Sequence, residues 1–367
     1  MSRSRTDHLL AVLNRYERAV SVATMVGGFC FDLIIAKRPD SVFVNVLLLS
    51  YLLVSAGVIV YLARPVRRAA KDPATTLAPI LSMKFAFGGL ASNLLILYGK
   101  SGTPAGSLLF LGVLAAMLIG NEFLKTKYDQ LRFNMSVWYV LLLTYCVIAV
   151  PTWIVHDIGQ AAFIESNAVS LVAALVFIIV LHGATRIFGG REGRRHLTHA
   201  LLMIASVLAL FNLLYFTNVI PPVPLALRDD GIYHLIVHNA DGSYGAQYEA
   251  APAWQFWHTT SDIFTAPAGS DAYCWSSVFA PTGLGTPIRH RWEHYDATAN
   301  VWSTVAVVEF PISGGREEGY RGYSMKQNIT PGQWRCDVET ESGALIGRVS
   351  FDVIPSTTSP MLSSTTL

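Results

Sequence analysis

Two histidines flank a glutamate in the run Ile-Arg-His-Arg-Trp-Glu-His-Tyr at 288–295, a composition that could ligate a metal ion. The run reads as a strand, however, and strand positions four apart lie about 13 Å from one another. His290 and His294 are then too far apart to share an ion with Glu293, and His290 and Trp292 become neighbours on one face. No metal is expected. The serines and histidines scattered through 234–290 carry no nucleophile-elbow pattern. The paired carboxylates Glu317 and Glu318 sit beside glycines in a turn, where solvated charge belongs. No catalytic set converges, so the sequence is read as a non-enzyme, and no cofactor is expected.

A binding surface is better supplied. Arg316, Tyr320, Arg321, Tyr323 and Lys326 fall in one Gly-rich loop and the strand after it, with Trp292 as a candidate neighbour. Exposed arginines and aromatic rings stack on sugars and pair with anionic groups. The alternative is a salt-bridged edge strand with the tyrosines in the core. Cys274 and Cys336 both fall in predicted strands and can close a disulfide across about 62 residues, which chain entropy values at roughly 4 kcal/mol; two buried thiols are the alternative. Cys30 and Cys146 lie in apolar stretches and read as packing residues. Lys84 lies within an apolar stretch. It is either a bilayer-centre charge needing a partner or, if its helix starts at Pro79, an ammonium that snorkels to the headgroups.

The elements that hold these residues differ between the two parts of the chain. Apolar stretches at 17–36, 41–63, 75–98, 104–120, 135–155, 165–185 and 197–219 each have the length of a helix that crosses about 30 Å of hydrocarbon. The whole chain is 52% hydrophobic and 14% charged, well below the charged share of soluble domains. Alternate connections carry the basic residues. Arg3, Arg5, Arg15 and Arg18 precede or open the first span, and Arg64, Arg67, Arg68 and Lys71 follow the second. Lys125, Lys127 and Arg132 follow the fourth, and Arg186, Arg191, Arg194 and Arg195 follow the sixth. These fifteen stand against three, Lys37, Arg38 and Lys100, on the opposite set. Positive charge stays in the cytoplasm, so the N-terminus is expected inside and the C-terminal domain outside. The first span lacks a small-x-small cleavage site and is expected to be retained.

No connection is long enough for a cytoplasmic kinase or nucleotide-binding module, and no phosphate-binding glycine motif is present. Asp32 and His182, near span ends, read as interfacial. Gly27–Gly28 and Gly88–Gly89 suggest close helix approach; Asn45, Asn93 and Asn212 suggest bonds between helices. Pro151 suggests a kink, and Trp138, Tyr139 and Trp153 suggest interfacial anchors.

After the prolines at 221, 222 and 224 the pattern changes to short alternating runs. Strands are predicted at 233–238, 273–280, 288–295, 301–310, 320–325, 334–340 and 344–353, separated by turn residues. In the clearest, Trp334, Cys336 and Val338 face one way and Arg335, Asp337 and Glu339 face water. The fold class is therefore an α-helical membrane bundle of about seven transmembrane helices (1–220), then an all-β antiparallel sandwich-like domain (221–355), then a disordered tail (356–367).

The run 221–353 resembles a bacterial domain-of-unknown-function family, number 2914. The matching pieces are Pro-Pro-Val-Pro-Leu at 221–225, Gly-Ile-Tyr-His at 231–234, Val-Phe-Ala-Pro-Thr at 278–282, His-Arg-Trp at 290–292, Gly-Gly-Arg at 314–316 and Gly-Tyr-Arg-Gly-Tyr at 319–323. Pro-Gly-Gln-Trp-Arg at 331–335, Asp-Val-Glu-Thr at 337–340 and Ile-Gly-Arg at 346–348 close the series. The resemblance implies a compact extracytoplasmic β domain and no activity. The expected protein is a multi-pass inner-membrane protein with an outward β-sandwich binding module. Its expected partners are the lipid bilayer and an envelope glycan, lipid headgroup or other envelope protein. Nucleic acid is not expected, since no basic aromatic stripe occurs. The rival reading is a transporter or channel with the β domain as an outer cap.

Overall fold

A computed structural model describes residues 17–36, 38–64, 73–101, 104–123, 131–252, 254, 259–267, 269–357 and 360–367. Arg3, Arg5, Arg15, Lys37, Arg67, Arg68, Lys71, Lys125 and Lys127 lie outside the described residues. The chain forms two compact units. One holds Met1–Tyr98, Leu108–Val155 and Gln160–Thr217; the other holds Asn218–Leu367 with the connections Gly99–Ser107 and His156–Gly159.

Among the described residues the first unit contains seven α-helices: α1 (Glu17–Ile35), α2 (Val42–Ala63), α3 (Pro73–Gly99), α4 (Pro104–Phe123), α5 (Leu131–Val150), α6 (Gln160–Thr185) and α7 (Gly190–Phe216). Five of them carry stretches long and apolar enough to cross a membrane: Val42–Ala63, Ala78–Gly99, Leu131–Val155, Gln160–Thr185 and Gly190–Phe216. The described apolar stretches of α1 and α4, Val26–Ile35 and Leu108–Met117, are shorter. On α2 the buried residues Val44, Leu48, Leu52, Ser55, Ile59 and Ala63 follow the helical period. The opposite side is equally apolar, and Leu53 is 65% exposed. Phe85 on α3 and Ile179 on α6 are exposed in the same way. A helix apolar all round is compatible with a hydrocarbon solvent rather than with water.

Polar groups tie the helices together. Trp138 Nε1 donates to the carbonyl of Leu52 at 3.0 Å, and Tyr98 donates to that of Thr144 at 2.9 Å. Asn167 Nδ2 donates to Asn212 Oδ1 at 3.3 Å. Asn45 bonds backbone carbonyls of its own segment, and Asn93, which donates to the Gly89 carbonyl, also faces Asp32 of α1. Trp138 and Tyr139 are buried rather than interfacial, whereas Trp153 is exposed. Gly89 permits the expected close approach, for a Cβ there would lie 2.5 Å from the Tyr51 ring; at Gly27 and Gly28 a Cβ would meet no atom of the described residues within 4 Å. Pro151 opens a π-helical turn, Pro151–Val155, at the end of α5.

The second unit is built from β1 (Ala226–Tyr233), β2 (Leu235–His238), β3 (Tyr244–Tyr248), β4 (Ile263–Ala266), β5 (Ala272–Phe279), β6 (Gly285–Asp296), β7 (Val301–Ser313), β8 (Tyr320–Lys326), β9 (Gly332–Thr340), β10 (Leu345–Pro355) and β11 (Ser363–Thr366). They form sheets ordered β1-β5-β8, β4-β10-β9-β6-β7 and β11-β3-β2. All pairings are antiparallel except β4 with β10. The first two sheets share their core. Ile232, Ala272 and Cys274 of one pack with Phe264, Trp292, Trp334, Cys336 and Phe351 of the other. Leu225, just after the proline run, is also a core residue.

Two expectations are corrected here. The tail expected to be disordered carries a strand, because β11 pairs with β3 from Ser363↔Tyr248 to Thr366↔Gly245. Its Ser/Thr composition gives no apolar alternation to read, and its order comes from a ladder that β3 supplies. The strand predicted at 233–238 divides at His234: β1 ends and β2 begins in a different sheet.

Candidate functional site

Alternation along β6 sends His290 and Trp292 into the space between the two larger sheets, both with no exposed surface. His290 Nε2 lies 2.7 Å from Ser276 Oγ on β5, and Nδ1 lies 2.9 Å from Ser324 Oγ on β8. Trp292 Nε1 donates to the same Ser324 Oγ at 2.9 Å. Burial pushes the His290 pKa down to about 3, so the ring is neutral and each nitrogen has a serine partner. Beside it, Cys274 and Cys336 form a disulfide between the sheets, 62 positions apart in sequence. The two sulfurs and a His290 nitrogen lie within 4.8 Å of one another. That composition suits zinc when the thiols are free, but sulfurs joined to each other are not thiolates, so the group stands here as a cross-brace. Trp292 is thus corrected from ligand platform to core.

The outer face of the five-stranded sheet carries a lattice of opposite charges. The registers Glu309↔Arg289↔Glu339, Arg291↔Asp337↔Arg348 and Glu293↔Arg335 place acids and bases on neighbouring strands. Arg289 pairs with Glu309 at 2.7 Å, Arg291 with Glu339 at 2.6 Å, and Arg335 with Glu293. Arg348 grips Asp337 with two bonds of 2.6 Å, and Arg335 also lies 4.4 Å from the Trp302 ring. The expected inward set Trp334, Cys336 and Val338 is buried. Asp337 and Glu339 do point outward, yet they are 5% and 4% exposed because guanidinium groups cover them. Hydrogen bonds to these acids hold Arg291 and Arg348 above the usual arginine pKa. The charges of this face are matched within it.

The strand β8 divides the remaining candidates between its two faces. Its pairing with β5 sets Arg321 opposite Ser277, Tyr323 opposite Trp275 and Met325 opposite Tyr273. Tyr323 is 37% and Met325 40% exposed. The Tyr323 ring lies 6.0 Å from Tyr244 on β3 and 6.1 Å from Tyr273 on β5. Arg321, half-buried, pairs with Glu318 and donates to the Leu367 carbonyl at 3.4 Å. Trp275 is buried beneath, its Nε1 donating to Asp229 at 3.1 Å. Tyr320 and Lys326 sit on the opposite face, where Lys326 lies 6.0 Å from the Trp334 ring. The Arg316 guanidinium lies over Tyr320 at 5.5 Å. The structure therefore joins Arg321 and Tyr323, separates them from Tyr320, Lys326 and Arg316, and adds Tyr244 and Tyr273. Tyr244 is hard to find in sequence, because the short run Tyr-Gly-Ala-Gln-Tyr lacks branched residues.

In the helical unit α3 starts at Pro73, so Pro79 is inside the helix rather than in its first turn. Lys84 is half-buried. It lies about 9 Å along the axis from Ala78, where the apolar stretch begins. Asp32 is 7% exposed and close to Ser92 and Asn93 on α3, so it is buried rather than interfacial.

Comparison with known proteins finds a family model that matches part of this unit. Residues 285–353, from β6 into β10, match the family model described as "Protein of unknown function (DUF2914)". The motif pieces at 221–282 lie before the matched segment. No curated protein matches the chain. Among solved structures, the alkylpurine DNA glycosylase AlkC of Pseudomonas fluorescens, bound to DNA containing an abasic site analog, is similar at 9% identity. That alignment covers 86% of this chain and 99% of the other at a TM-score of 0.22, which carries no argument about fold or function.

Proposed function

With residues 285–353 in a family that has no assigned activity, we propose that the chain is a multi-pass inner-membrane protein presenting its β unit outside the cytoplasm as a binding module. In this reading α1 and α4 also cross the bilayer, giving seven spans with the N-terminus inside. The fifteen-to-three division of basic residues supports that orientation. So does the grouping of the connections Gly99–Ser107 and His156–Gly159, which carry few basic residues, with the β strands in one compact unit. The disulfide is compatible with an oxidising compartment.

The observation that carries the binding role is the β8 strip. Exposed Tyr323, with Tyr244, Tyr273 and the Arg321 guanidinium beside it, offers ring faces and a cation on a unit whose other broad face is charge-matched. That chemistry suits envelope material with sugar rings or anionic groups: a glycan, a lipid headgroup or a glycan-bearing envelope protein. The test titrates the full chain, in phosphatidylcholine nanodiscs, with peptidoglycan fragments and envelope polysaccharides. Tyr323→Ala with Arg321→Ala should weaken binding at least tenfold while leaving the melting temperature in place. Undiminished binding in that variant overturns the assignment.

A second reading, a transporter capped by the β unit, is favoured by one observation: the Asp32 carboxylate buried beside Ser92 and Asn93 within the helices. If Lys84→Met or Asp32→Asn abolishes a cellular phenotype that the β8 variant leaves intact, this second reading replaces the first.

A further inference from the structure

The helical unit contains a cavity of ≈ 620 Å³ formed by the first turns of α5, the N-terminal half of α7 and the connection between α6 and α7. Its size falls within the range of pockets that take small ligands, about 300–1,000 Å³. The polar part of its wall consists of Arg132, Ser136, His196 and His199. Arg132 Nη2 lies 3.2 Å from His196 Nδ1, which brings the guanidinium and the imidazole to one spot. Among the described lining residues there is no carboxylate, so none of them neutralises the arginine. The rest of the wall is apolar, with Met135, Ile187, Phe188 and Met203. Farther along α7, Leu201 and Leu202 are exposed, continuing an apolar surface away from the basic end.

We propose that this cavity binds an anionic phospholipid, with the headgroup phosphate at Arg132 and His196 and the upper acyl chains against Met135, Phe188 and Met203. A free phosphate would match the guanidinium but leave the thioether and aromatic walls facing water. A choline lipid would bring its own cation to the guanidinium. Basic pockets between membrane helices select anionic headgroups for these reasons. The inference rests on the helical unit lying in a membrane, and it is independent of what the β unit binds.

The full chain, purified in a neutral detergent, is titrated separately with phosphatidylglycerol, phosphatidylcholine and inorganic phosphate. Retained lipid is read by native mass spectrometry and stabilisation by thermal shift. Phosphatidylglycerol should be retained and should stabilise the chain, with the other two ineffective. Arg132→Ala should weaken retention about fivefold, the effect of one surface cation on anionic lipid, and Arg132→Lys should largely restore it. Equal retention of both lipids overturns the proposal, as does equal stabilisation by phosphate or an undiminished Arg132→Ala variant. If Arg132→Ala fails to fold, the selectivity of the unsubstituted chain decides alone. A chain that stays in solution without detergent would instead refute the membrane reading, which separates the two failures.

Discussion

Replacing both Cys274 and Cys336 by alanine removes the covalent brace between the two larger sheets. The brace closes a loop of 62 residues, so its loss returns about 4 kcal/mol of chain entropy to the unfolded β unit. Asn218–Leu367 spans about 150 residues, and an unfolding entropy near 2.1 cal/mol/K per residue gives about 0.3 kcal/mol/K for the unit. The melting temperature of the β unit should therefore fall by about 13 °C. The assay is thermal unfolding of the full chain in detergent, followed by tryptophan fluorescence, which Trp275, Trp292 and Trp334 report from the core. The single variants sharpen it. Either alanine alone opens the bridge, so the second should add little beyond its lost sulfur, whereas two independent buried thiols would give additive losses. Additive singles, together with an intact mass that reductant does not raise by two hydrogens, would refute the reasoning.

Other parts of the β unit give separable outcomes. His290 is held neutral in the fold with its pKa lowered from 6.5 to about 3, so the unfolded chain binds a proton that the folded chain refuses. Its contribution is present above pH 6.5 and lost as pH falls toward 3; between pH 7.5 and 5 the loss is about 2 kcal/mol. His290→Gln should be less stable at pH 7.5 but should lack this part of the acid sensitivity, as denaturant titrations at the two pH values will show. Equal pH dependence in both proteins would contradict the burial argument. Gly314→Ala should cost about 3 kcal/mol or prevent folding, because the new Cβ would stand 1.7 Å from the Pro281 carbonyl oxygen. A variant with an unchanged melting temperature would show that this turn gives way freely.

The strands with long alternation were legible as sequence. Trp334, Cys336 and Val338 announce the buried side of β9, and β5 through β10 all lie where turn residues bound them. The brief strands β3, β4 and β11 were not, since five residues or fewer of mixed polarity hold their place only through a neighbour's ladder. Period two already divides Tyr320 and Lys326 from Arg321 and Tyr323. Which half meets water is decided by the five-stranded sheet, which packs against Tyr320 and Ser324, and no residue on β8 encodes that. Trp292 is a comparable case. A tryptophan beside arginines suits a stacking platform or a core plug, and the hydrogen bond to Ser324, 32 positions away, settles it as the plug. Asp337 and Glu339 look solvent-facing by alternation, and only the tertiary pairing with Arg348 and Arg291 reveals why they are covered. In the helical unit composition gave the apolar stretches, while inward and outward sides of α2 are chemically alike and had to come from packing.

The threading of the helices is tested most directly by reporters fused after Leu367. Export of the β unit predicts that alkaline phosphatase at that position is active and green fluorescent protein is dark. A glowing fusion with silent phosphatase would put the Tyr323 strip in the cytosol and contradict the account at its base.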